Sequence, residues 1–115
     1  MTPASEDEIR QILAALQSPE AYERFGAAIV FGDPMRNLGV SRRPEFMAAL
    51  VPLLGDPVFE VRHHASAALG TLGYKAAIPA LRLALEAEVK RGGEVLKGLV
   101  KTMQASIEAL EQSGA

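Results

Sequence analysis

Leu53-Leu54-Gly55-Asp56-Pro57-Val58-Phe59-Glu60-Val61-Arg62 is the stretch on which the fold turns. Gly55 and Asp56 read as a helix stop and a cap, and Pro57 suits the first position of a new helix, where its missing N–H costs nothing. The same pattern stands 38 residues earlier, where Leu16-Gln17-Ser18-Pro19 aligns with Leu54-Gly55-Asp56-Pro57. The frame persists: Arg24 falls on Arg62, Ala27 on Ala65, Phe31 on Leu69 and Gly32 on Gly70. A looser third copy begins where Ile78-Pro79-Ala80-Leu81 echoes Val51-Pro52-Leu53-Leu54, its second helix displaced by Gly92-Gly93. Helix pairs that recur in this way cannot bury their apolar faces singly, and about three must stack to make a stable core.

Outward from this frame, the chain reads as six helices with no strand pattern. Ser5 and Glu8 form a capping box that starts the first helix near residue 6, and Ile9, Ile12, Leu13 and Leu16 share one face. Ser18-Pro19 opens a second helix that runs to about Phe31. Residues 32–44, with two glycines and two prolines, form the longest irregular segment. The third helix spans Pro44 to Leu54, the fourth Pro57 to about Leu72, the fifth Lys75 to the Gly92-Gly93 break, and the sixth ends near Gln112. The expected fold is all-α: one domain over residues 1–115, with a first repeat at about 6–32, a loop at 33–43, a second repeat at 44–73 and a third repeat or C-terminal cap at 75–112.

Composition fits a single small globular unit: 115 residues, 49% apolar and 23% charged. With no cysteine, disulfides, thiolate metal sites and a cysteine nucleophile are excluded. A net charge of −2 gives no electrostatic reason to expect nucleic acid or an anionic membrane as partner. The acidic start lacks a secretory signal, and no apolar run approaches the ~18 residues of a membrane span, so the expected location is the cytoplasm.

Leu53-Leu54-Gly55-Asp56-Pro57, Val61-Arg62, Ala65, Ala68-Leu69-Gly70, Leu72-Gly73 and Ala77-Ile78-Pro79-Ala80-Leu81 resemble the HEAT repeat, in the short bacterial form also found in phycobilisome lyase-type proteins. The likeness is close over residues 50–81 and looser over 9–32 and 82–112. It implies a short α-solenoid, a right-handed superhelical stack of about three antiparallel helix pairs used mostly as a protein-binding scaffold, with the second helices lining the concave surface. It also implies that the motif's acid and arginine interact with each other or with neighbouring repeats, here Asp56 with Arg62 and Ser18 with Arg24. A bilin-lyase-like or chaperone-like accessory role, handling a chromophore or a protein subunit, is the alternative that the resemblance brings.

Little in the residues speaks for catalysis or a cofactor. His63 and His64 are adjacent on a helix and point about 100° apart, so they cannot chelate one metal as an i, i+4 pair could. Ser66 and Thr71 near them lack an orienting carboxylate and oxyanion donors. No glycine run has the spacing of a phosphate loop. The expectation is a non-enzyme without metal or cofactor.

The fourth helix is more informative. Val58, Val61, Ala65, Ala68, Leu69 and Leu72 cluster on one side, which leaves Phe59, Glu60, His63, Ser66 and Ala67 opposite. At the 38-residue offset the stripe extends to Tyr22 and Phe25, making Tyr22, Phe25, Phe59 and His63 the candidate partner-binding residues. Against this, Tyr22, Phe25 and Ile29 also make a good core face, and Glu23 at the position of Val61 suggests that the second helix is rotated. The loop adds Met35, Leu38 and Val40 and the further candidates Arg36, Arg42 and Arg43. Residues 34–75 hold five basic and three acidic groups against two and six in residues 1–33, so an acidic protein surface could be met there, while the absence of a basic helix face argues against nucleic acid. In the last helix Leu96, Leu99, Val100, Met103, Ile107 and Leu110 form a stripe that either covers the end of the stack or joins two chains as a homodimer.

Overall fold

A computed structural model describes residues 5–32, 43–92 and 94–112, with backbone alone for Arg43 and residues 94–97. Among the described residues there are six α-helices and no strand: α1 Glu6–Leu16, α2 Ala21–Ile29, α3 Arg43–Leu50, α4 Phe59–Leu72, α5 Ile78–Arg91 and α6 Glu94–Glu111. Ser5 caps α1 as its sequence implies, its hydroxyl accepting from the Glu8 N–H at 3.1 Å. At the other end of a helix, Gly73 closes α4 in the left-handed region (φ 77°), which a residue without Cβ enters without strain.

Two helix starts differ from the sequence reading in the same way. Ser18 and Asp56 do not cap helices that begin at Pro19 and Pro57. Each folds a turn instead, the Ser18 hydroxyl accepting from Glu20 N–H and the Asp56 carboxylate from Val58 N–H. The helices therefore start two residues later, at Ala21 and Phe59, with Glu20 and Val58 as N-caps. A short polar side chain next to a proline-fixed φ satisfies this turn as well as it would a helix end. Pro52 has a related effect: α3 ends at Leu50 and passes into a 3₁₀ segment, Val51–Gly55, because the proline nitrogen has no hydrogen to donate to an α-helical turn.

The helices stack in two layers. α2, α4 and α6 lie side by side in one, while α1, α3 with the Val51–Gly55 turn, and α5 occupy the other. The shortest dimension, 21 Å, matches two helix diameters. Between the layers lie Leu16, Phe46, Leu50, Val61, Ala65, Leu69 and Leu81, and Phe31 meets Phe46 edge-on with ring centroids 5.0 Å apart. The stripe on α6 is spent inside this chain: Leu99, Met103 and Leu110 are fully buried, and the helix packs on both α4 and α5. No described helix is long and apolar enough to cross a membrane.

The expected side-chain pair between Asp56 and Arg62 does not form. Asp56 takes the arginine of the preceding repeat, with Arg24 Nε 2.9 Å and Nη2 3.2 Å from its two carboxylate oxygens. Arg62 reaches forward in turn to Glu88 of α5, its Nε 2.7 Å from Oε1. Each arginine also donates to a main-chain carbonyl six residues before it, Arg24 to Ser18 and Arg62 to Asp56. The carbonyl of Ser18 supplies this bond, and its hydroxyl goes to the turn. Two arginines thus bind backward to their own turn and forward to the next repeat, and Arg62 and Glu88 are almost fully buried. Arg91, at 3.5 Å, adds a second cation beside Glu88.

Ser66 is also placed differently from the sequence reading. It does not face outward but is fully buried on the α6 side of α4, its hydroxyl donating to Arg62 C=O and its own carbonyl accepting from the Ser106 hydroxyl, both at 2.8 Å. Gly70, a turn further on, leaves the room for Ser106. A Cβ built at Gly70 would stand 2.5 Å from Ser106 Oγ and 3.0 Å from its Cα.

Substitutions at three places have expected outcomes in denaturant melts. Asp56→Ala, which strands a part-buried arginine, should lose about 3–5 kcal/mol, and Arg24→Met/Asp56→Leu together should lose less than Asp56→Ala alone. Gly70→Ala should cost roughly 1–3 kcal/mol through the clash with α6. Gly26→Ala, where an added methyl meets nothing within 4 Å, should gain about 0.5–1 kcal/mol.

Candidate functional site

The outer surface of the second-helix layer is built on the repeat frame. Ala27 of α2 and Phe31 of the 3₁₀ turn Val30–Gly32 that follows it point into the core as Ala65 and Leu69 of α4 do, and Arg24 takes the inward position of Arg62. Register alone therefore turns Tyr22, Phe25 and Ile29 away from the centre of the stack, and α2 is not rotated. Tyr22 is 64% and Ile29 47% exposed, whereas Phe25 is half-buried against the edge of the core. Tyr22 and Ile29 thus do not form the core face that their spacing allowed. Glu23 is exposed because it borders an open depression between α1 and α2, where Val61 in the equivalent position is covered.

On α4 the candidates lie close together. Phe59 and His63 stack with centroids 6.1 Å apart and planes 15° from parallel, and the Arg62 guanidinium carbon sits 5.9 Å from the Phe59 centroid. His63 meets His64 edge-on at 5.0 Å, and His64 reaches Phe25 of α2 at 6.0 Å. The result is a row, Phe59–His63–His64–Phe25, that runs across the join of two repeats. Phe59 and His63 are half-buried in it and not freely exposed. Tyr22 stands apart, one turn before Phe25 on the same side of α2. Arg36 and Arg42 lie outside the described residues, and Arg43 is described only as the first residue of α3.

Beside this row the surface sinks into two shallow depressions that share Ala67 and Thr71 of α4. One, of about 200 Å³, lies against α2 and is bounded by Ala28, Ile29 and His64. The other, of about 420 Å³, lies against α6, where Gly70, Thr102, Ala105, Ser106 and Ala109 form its floor and sides. No charged side chain lines either depression. The hydroxyls of Thr71 and Thr102 each donate to a carbonyl of their own helix, four residues back. What the surface offers is therefore shape and apolar contact with rings at one edge. Among the described residues no three His, Asp or Glu side chains converge to hold a metal ion.

His64 is the contributor that the sequence reading left out. Its adjacency to His63 was the available signal, because a rotation of 100° carries one ring of the pair toward α2 and the other toward α6. Burial at the α2–α4 join is the main force that lowers its pKa below the ordinary 6.5, and repulsion from His63 adds to this, while Glu60 pulls the other way. His63 Nδ1 is buried and has no hydrogen-bond partner among the described residues.

Compared with known families, residues 9–97 match a model described as HEAT repeats. The chain belongs to the HEAT-repeat family. Comparison with curated proteins and with solved structures gave no match. In HEAT terms α1–α2, α3–α4 and α5–α6 are successive pairs, the match runs from the first into the start of α6, and the candidate face belongs to the second helices.

The lowered pKa of His64 sets the sign of a pH effect. The folded chain favours the neutral ring, so the stability it contributes is intact above pH 6.5 and declines as pH falls through the folded-state pKa. The ring-proton titration of His64 followed by NMR should have its midpoint below 6.5. Replacement by Gln should flatten the fall in thermal stability between about pH 7 and 5. A midpoint at or above 6.5 would show that the ring is not desolvated at this join.

Proposed function

We propose that this HEAT-repeat chain is a non-catalytic adaptor that holds a protein partner on the surface of α2, α4 and α6. HEAT repeats commonly mediate protein–protein interaction. The observation that carries the reading for this chain is the pair of large apolar side chains, Tyr22 and Ile29, left exposed on one line of α2, with Ile29 at the rim of the uncharged depression between α2 and α4. Exposed apolar side chains grouped beside a concave, uncharged surface mark binding faces more often than solvated ones. Tyr22 and Ile29 would be the first contacts, and the ring row of Phe25, His64, His63 and Phe59 would supply a firm edge that loses little rotamer freedom on binding.

Arg36, Arg42 and Arg43 would flank this face and suit acidic groups on the partner, a part of the proposal that rests on the sequence alone. Self-association through the α6 stripe has little support, since Leu99, Met103 and Leu110 already cover the end of the core. Neither the ring row nor the depressions assemble a nucleophile, base and oxyanion donors, which favours binding over chemistry. The cytoplasm is the proposed location.

The test is affinity capture from native lysate, with captured proteins identified by mass spectrometry and their affinities then measured with purified partner. Tyr22→Ala/His63→Ala should weaken binding at least tenfold while circular dichroism and melting stay near those of the parent, because neither side chain is in the core. Leu83→Ala, which removes a 68%-exposed leucine from the other layer, should leave binding unchanged. Equal retention of the same partners by both variants would move the binding site off this face.

A further inference from the structure

We draw no further inference here: the strongest candidate, the uncharged groove between α4 and α6 floored by Ala67, Gly70, Ala105 and Ala109, belongs to the face already described, and nothing in the structure shows what covers it.

Discussion

The buried relay from Ser18 through Arg24 and Asp56 to Arg62 and Glu88 is the constraint on which the rest of this structure depends. Its links alternate, each arginine holding the turn of its own helix pair behind it and an acid of the next pair ahead, so the relay sets the register of the pairs as well as attracting them. A guanidinium suits this place because it stays charged and presents several donors in a fixed plane, enough for a carbonyl behind and a carboxylate ahead. Desolvating such pairs offsets much of their attraction, so the relay adds less to net stability than apolar packing does. What it does is penalise any other stacking, in which a buried arginine or carboxylate would be left alone.

The sequence made the architecture readable because repetition multiplies weak signals. One Gly-Asp-Pro is a common turn, but the same turn 38 residues away with Arg, Ala and a large apolar residue in step is a statement about stacking. The six helices, their order and the core faces of α1, α4 and α6 follow from periodicity and stop signals. What was not readable needed a third dimension. The residues Ser18-Pro19 and Asp56-Pro57 specify a turn and a helix cap equally well, and backbone hydrogen bonds beyond the proline decide between them. Similarly, nothing in the order of residues says whether Asp56 takes the arginine six positions ahead or the one 32 positions behind. The likeness to HEAT repeats allowed both pairings, within a repeat and between neighbours.

The candidate face was partly legible for the same reasons. Phe59, His63, Tyr22 and Phe25 all come to the second-helix side, as the offset between repeats requires. Their environments differ, however, because Tyr22 has no earlier ring to lean on, whereas Phe25 and His63 each point toward the next second helix. The small floor residues Ala67, Gly70, Ala105 and Ala109 carry no signal of their own, since residues this small occur on the buried and the exposed face of a helix alike. Their meaning comes only from lying together between α4 and α6.

Gly70 and Ser106 set how closely the last two second helices approach each other. The distance between packed helices follows the size of the side chains at their contact. Along the α4–α6 seam that contact is made by Ser66, Gly70 and Ser106, whereas the larger Phe46, Leu50 and Leu81 fill the space between the two layers. The last second helix therefore lies close against α4 only while this seam stays free of larger side chains. The spacing of these two helices is then a property of side-chain volume, adjustable a methyl group at a time.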